Sequence, residues 1–335
     1  MSNIRVDLSK VIPLTTPFSL HVFPSYYCNF RCFYCLHNLS SEKLIERNFK
    51  REFINLADYK KAIDGLKEFP EKLKTIIFAG HGEPLVHRDI AEMVHYANEA
   101  GVTQRTEIVT NGSLLSQKMT DRLIAAGLGL LRVSLQGVTD EMCRKVGGTT
   151  FPVARLVENL KYFYDNRKET RIHIKIINVG LNDNAEKERF YELFSPICDE
   201  ATIECLIPFI NEIDHSAITN DLTKCKLGHS QSMSKICSMP FYMLVLEPNG
   251  NLVPCCSSVV PKVYGNIRQN RPKELWNSVN RSDFLYQQLT DLTKNRVCAA
   301  CSVPQYGLQE GDYLDGDRDV LLEKFHRPSK TSEGP

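Results

Sequence analysis

The chain has 335 residues, enough for one large domain or two and for a sizeable buried core. Forty-one basic against forty acidic residues leave a formal net charge of +1, which offers no global electrostatic case for a nucleic-acid or membrane-surface partner. No apolar run is long enough for a membrane span, and the N-terminus, MSNIRVDLSK, lacks the basic-then-apolar layout of a secretory signal. The default expectation is a cytoplasmic protein whose thiols stay reduced. Twelve cysteines then need an explanation other than disulfides. Burial accounts for some, and clustered spacing argues for metal in the rest.

Residues 1–15 read as an N-terminal segment. From 16 to 210, short β-branched runs alternate with amphipathic stretches. Strands are predicted at 19–23, 75–79, 106–110, 130–134, 171–179 and 201–207. Helices are predicted between them at 57–69, 89–100, 116–126, 152–163 and 185–193; in the third, Leu115, Met119, Leu123 and Ile124 recur at helical spacing and Gly127 follows as a stop. Six strands, each followed by a helix or loop, imply an α/β fold with a parallel sheet and right-handed crossovers. An open doubly wound sheet and a partial barrel both satisfy the pattern, and both gather ligands at the C-terminal strand ends. Residues 211–236 are polar and irregular, a linker. The region 237–326 opens on a hairpin, with strands at 241–246 and 251–254 around Pro248-Asn249-Gly250, and continues with helices near 272–277 and 283–292. The tail 327–335 reads as disordered.

Cys28, Cys32 and Cys35 lie within eight residues directly after the first strand. Three thiolates around one small volume suit zinc or iron–sulfur chemistry. Zinc would need a fourth protein ligand, for which His37 is the local candidate, and three intervening residues followed by two is not the usual paired zinc spacing. A four-iron cluster held by three cysteines keeps one iron open for a small ligand.

The segment CNFRCFYC resembles the CxxxCxΦC motif of the radical S-adenosylmethionine (radical SAM) superfamily, with Tyr34 as the aromatic residue. FAGHGEPL, at the end of the second strand, resembles the glycine-rich GGEP-type motif of that family, here Gly80, His81, Gly82, Glu83 and Pro84. The resemblance implies that this turn and Glu83 meet the amino group of SAM: glycines allow close backbone approach and a carboxylate complements an ammonium. His81 in place of glycine is a mild departure, because the contact is largely through backbone. Thr110-Asn111-Gly112 and Ser134-Leu135-Gln136-Gly137, at the third and fourth strand ends, also look like family features, and Asn178 is a weaker candidate. Asn111, Ser134, Gln136 and Asn178 would then meet the ribose and carboxylate of SAM; alternatively each satisfies its own turn. The resemblance covers roughly residues 16–207 and implies a partial (β/α)6 barrel, a SAM-binding 4Fe–4S cluster on Cys28, Cys32 and Cys35, and a flavodoxin- or ferredoxin-type electron donor. Family chemistry is reductive cleavage of SAM to a 5′-deoxyadenosyl radical that abstracts hydrogen from substrate.

Cys237, Cys255, Cys298 and Cys301 form a second constellation: two thiols flanking the hairpin and a tight CxxC. Four thiolates can close a zinc site or a fully ligated iron–sulfur cluster. The run CSMPFYMLVLEPNGNLVPCC, followed by VYGNI, ELWNS and VCAAC, resembles the auxiliary-cluster region of radical SAM proteins with SPASM or twitch domains. No cysteine follows Cys301, which fits the shorter twitch arrangement with one auxiliary 4Fe–4S cluster. Neighbouring strand side chains point oppositely, so one of Cys255 and Cys256 is the ligand, and spacing selects Cys255. Of the remaining cysteines (Cys143, Cys198, Cys205, Cys225 and Cys256), burial is the ordinary reading, with Cys225 and Cys256 as candidate hydrogen donors to a substrate radical.

The second region resembles radical SAM dehydrogenases and epimerases of aminocyclitol and aminoglycoside biosynthesis. That implies a small-molecule substrate, with oxidation of a secondary alcohol on a sugar-like or aminocyclitol molecule as the expected reaction. Epimerisation and peptide modification are the competitors; the residues before Cys28 are read as too few for a leader-binding domain. A non-catalytic iron–sulfur or zinc scaffold is the remaining alternative, and it leaves the GHGEP segment without a purpose.

Overall fold

The computed structural model describes residues 6–47, 49–213, 223–230 and 232–325. The predicted tail, and the middle of the predicted linker, lie outside the described residues. Six strands, β1 (Ser19–Val22), β2 (Thr75–Phe78), β3 (Thr106–Thr110), β4 (Leu130–Leu135), β5 (Arg171–Ile177) and β6 (Glu200–Glu204), pair in chain order and all in parallel. A doubly wound sheet reverses its winding direction at a switch point. Here each crossover steps to the next neighbour, as in a barrel, and β6 does not return to β1. The architecture is therefore an open, partial barrel.

What occupies the free edge of β1 is not legible in the strand pattern. β7 (Met243–Leu246) pairs with it in parallel, Ser19 facing Met243 and Val22 facing Leu246. β8 (Asn251–Val253) and β9 (Gly265–Asn266) then continue the same sheet in antiparallel fashion. Phe241 and Tyr242, expected in the first hairpin strand, belong instead to a helical turn, Met239–Tyr242. Pro240 explains the difference: its fixed φ suits a first helical turn, where its missing N–H costs nothing.

Alternation sorts the strand residues between two environments. Leu20, Val22, Ile76, Phe78, Ile108, Leu131, Val133, Ile172, Ile174 and Ile176 are buried in the main apolar core, under the helices Leu56–Gly65, Ile90–Glu99, Gln117–Ala125, Val153–Asn166 and Asn184–Phe194. The intervening positions, among them His21, Glu107, Arg132, Ser134, Lys175 and Glu204, take the opposite face, which lines the barrel lumen. A further helix, Asp140–Gly147, is absent from the periodicity because only two turns of it exist; Thr139 caps it by accepting from Met142 N, and Gly148 ends it at φ +66°. A second apolar cluster joins the two ends of the chain, with Leu8 and Ile12 against Phe241, Leu289, Leu314 and Leu321. Among the described residues no helix is long and apolar enough to cross a membrane.

Candidate active site

The loop leaving β1 carries Cys28, Cys32 and Cys35 and is held by both main-chain and side-chain hydrogen bonds. Arg31 N donates to Gly147 O (2.8 Å) and Phe33 N to Val146 O (3.1 Å), which seats the loop on the end of the helix Asp140–Gly147. Cys35 N donates to Cys32 O (2.9 Å), and Asn111 Nδ2 reaches Asn29 Oδ1 (3.0 Å) from the β3 end. None of the three cysteines is in a disulfide. Burial raises all three thiols, Cys28 to about 12, so each thiolate needs a positively charged partner to exist there.

The GHGEP turn packs directly behind this loop. Gly80 has φ +111°, and a Cβ there would fall 2.3 Å from the Phe23 ring. At Gly82 a Cβ would lie 2.1 Å from Ser25 O and 2.6 Å from Tyr27 O, both of them backbone. Gly82→Ala is accordingly expected to lower stability by about 1–3 kcal/mol or more, because backbone cannot rotate away as a side chain can; a denaturation midpoint matching wild type would show that the turn has slack.

Glu83 is buried and its carboxylate is engaged by the protein. Oε1 accepts from Leu85 N (2.9 Å) and Thr110 Oγ1 (2.6 Å), and Oε2 accepts from Asn111 N (2.8 Å). It thereby fastens the TNG turn to the GHGEP turn. His81 does more than occupy a glycine position. His37 Nε2 donates to its carbonyl, while its own Nε2 donates to Ser257 O (3.1 Å), one residue beyond Cys256. Burial holds the His81 imidazole down to about 4, so it is a neutral donor at ordinary pH. The first cysteine loop and the second cysteine region are thus joined through one histidine.

A cavity of about 420 Å³ opens at the C-terminal ends of the strands. Tyr34 and Cys35 from the cysteine loop, Gly80 and His81, and Ser134 border one part of it. Tyr34 Oη donates to Gln136 Oε1 (2.7 Å), and Gln136 Nε2 donates to Ser134 O (3.1 Å), so Gln136 positions the aromatic ring. Lys175, Glu204, Cys205 and Lys226 border another part, and Met239, Val303 and Gly307 from the C-terminal region complete the wall. Asn178 stands in the helical turn after β5, and its Oδ1 accepts from Leu206 N (2.9 Å), which ties the β5 and β6 ends together.

Cys237, Cys255, Cys298 and Cys301 all border one small void of about 20 Å³. Burial raises these thiols too, Cys237 to about 12 and Cys298 to about 11. Cys256 points elsewhere: its Sγ lies 3.3 Å from His21 Nδ1. Neither Cys225 nor Cys256 is among the residues bordering the cavity at the strand ends, whereas Cys205 is. Cys143 and Cys198 are buried in the main core. Among the described residues, no three or more His, Cys, Asp or Glu side chains converge tightly enough for a single metal ion. A four-iron cluster gives each cysteine its own iron, so thiols spread around a common space are a compatible donor set.

Lys175, Glu204 and Lys226 are not singled out by the sequence, and Cys205, read there as a structural thiol, borders the cavity. The signal was present in the strand written RIHIKII: parallel strands covered on both faces read as continuous apolar runs, so regular polar alternation there marks a lumen with polar work to do.

Residues 22–194 match the Radical SAM superfamily and residues 237–302 match an iron–sulfur cluster-binding domain, SPASM. The chain belongs to the radical SAM superfamily and carries a C-terminal auxiliary-cluster domain; it is an enzyme whose cofactors are SAM, a 4Fe–4S cluster and auxiliary iron–sulfur. Among curated relatives, the AdoMet-dependent heme synthase of Methanosarcina barkeri is 23% identical over 306 residues, covering 77% of this chain and 84% of that protein. Among solved structures, Streptococcus suis SuiB bound to precursor peptide SuiA superposes with a TM-score of 0.63 at 17% identity, over 91% of this chain and 77% of that one. BtrN in complex with AdoMet and 2-DOIA gives 0.54 at 19% identity, over 88% and 97%. At these identities the structural likeness speaks for the fold.

Proposed function

We propose that this enzyme oxidises a secondary alcohol of a sugar-like small molecule, with Cys28, Cys32 and Cys35 holding the SAM-binding cluster and Cys237, Cys255, Cys298 and Cys301 an auxiliary one. When bound, these groups supply reductive cleavage of SAM, a hydrogen-abstracting 5′-deoxyadenosyl radical and a one-electron acceptor. The observation that supports oxidation is the convergence of four cysteines on one small void: a cluster whose every iron is taken by protein has no position for substrate, and electron transfer is what remains for it.

The chain's own residues bind and orient. Tyr34, fixed by Gln136, and Ser134 face the side next to Cys35. Leu135, Ile177, Leu206 and Phe209 form an apolar wall that excludes water from a reactive radical. Both lysines engage Oε2 of Glu204, which makes Oε1 the acceptor for a substrate hydroxyl.

Epimerisation is the second reading, supported by Cys205 in the cavity wall, a thiol able to return hydrogen from the other face. One experiment separates the two. Reduced holoenzyme incubated with candidate polyols in D2O should give ketone and 5′-deoxyadenosine in equal amounts, with no deuterium on the recovered alcohol. Deuterium at the reacting carbon, lost in Cys205→Ala, would establish epimerisation instead.

A further inference from the structure

Two cations share one carboxylate at the far side of the active-site cavity. Lys175 Nζ stands 2.9 Å and Lys226 Nζ 3.4 Å from the same oxygen, Glu204 Oε2. The Lys175 side chain is only 17% exposed and that of Glu204 13%, while that of Lys226 is 42% exposed, so two cations meet a single carboxylate where the cavity wall reaches solvent. The ratio recurs at a second carboxylate: buried Glu107 takes both Arg105 (3.0 Å) and Arg132 (3.1 Å), whose side chains are 41% and 36% exposed. The two lumen histidines do not alter the balance, since burial keeps His21 (about 4) and His173 below their usual range and neutral. One carboxylate neutralises only one of the two ammonium groups, and an arriving anion would pair with the other.

We propose that Lys175 and Lys226 form an anion-binding wall of the substrate cavity, and that the substrate carries a carboxylate or phosphate group there. The inference rests on reading the cavity as the active site, and it moves the substrate away from a cationic aminocyclitol, which this wall would repel. Burial supports it from a second direction by pulling Lys175 down to about 8. The charged groups acting on that ammonium are Lys226, Glu204 and Arg132, with the neutral His173 beside it. Acetate affinity should therefore fall as pH rises through about 8, where Lys175 gives up its proton.

The test uses anaerobically reconstituted, SAM-loaded protein titrated calorimetrically with inorganic phosphate and, separately, with acetate; the preferred anion identifies the group. One anion should bind per chain, and Lys226→Met should weaken it about ten- to hundredfold, the worth of a charged hydrogen bond. Lys175→Met should act in the same direction. Glu204→Gln should act in the opposite one, tightening the anion, whereas a purely structural role would move all three variants alike. SAM affinity should stay within about twofold in each. Absence of saturable anion binding, uniform loss across the three variants, or SAM affinity falling in step with the anion would overturn the proposal, the last by assigning the lysines to the carboxylate of SAM. Failure of the wild-type protein to cleave SAM would instead remove the reading of the site itself.

Discussion

Replacing Cys32 with alanine should reduce SAM cleavage by the reconstituted, reduced protein to background while its circular dichroism remains native. The side chain is 9% exposed and its loss removes little apolar surface. The loop around it is held by main-chain bonds, Arg31 to Gly147 and Phe33 to Val146, which do not depend on the sulfur. Unfolding is therefore not available as an explanation for lost activity. Iron content should fall by the share of one cluster, with the auxiliary share retained. Cleavage at the wild-type rate in this variant would sink the assignment of the first cysteine loop.

Disabling the second constellation should have a different signature. Cys298→Ser, at a half-buried position, is expected to leave SAM cleavage running but to abolish the oxidised product, so that 5′-deoxyadenosine accumulates without ketone. The physical reason is electron accounting: removing one hydrogen atom from a carbinol carbon is half of an alcohol oxidation, and the remaining electron needs a destination. Quantifying nucleoside and ketone in the same reaction reads the ratio directly. Undiminished ketone formation would mean that the four-cysteine site serves structure alone, and the case for oxidation would lose its support.

How much of this was legible in the chain depends on how local each signal is. The cysteine loop, the GHGEP turn and the six strands could be read because spacing and periodicity are properties of neighbouring residues. The partial barrel followed from the resemblance, and the strand order then showed it independently. Pairing of β7 with β1 joins residues more than two hundred positions apart, and no local pattern encodes it. The same holds for the lumen. Lys175 and Glu204 lie on neighbouring strands and Lys226 on a later segment, so their meeting is a product of topology. Glu83 shows a residue whose type was informative but whose partners were not foreseeable: Thr110 and Asn111 belong to the next strand end, and only the fold brings them to its carboxylate.

The seating of β1 has a consequence for how the polypeptide can be divided. Four residues, Ser19–Val22, receive β2 on one flank and β7 on the other, so the strand feeding the first cysteine loop is an interior strand only while the C-terminal region is attached. A polypeptide cut after β6 would bare a row of amide and carbonyl groups beside the first cysteine loop, a ready template for self-association. The auxiliary region thus acts as a built-in selvage: whatever it does with electrons, it also keeps the border of the catalytic sheet from fraying into its neighbours.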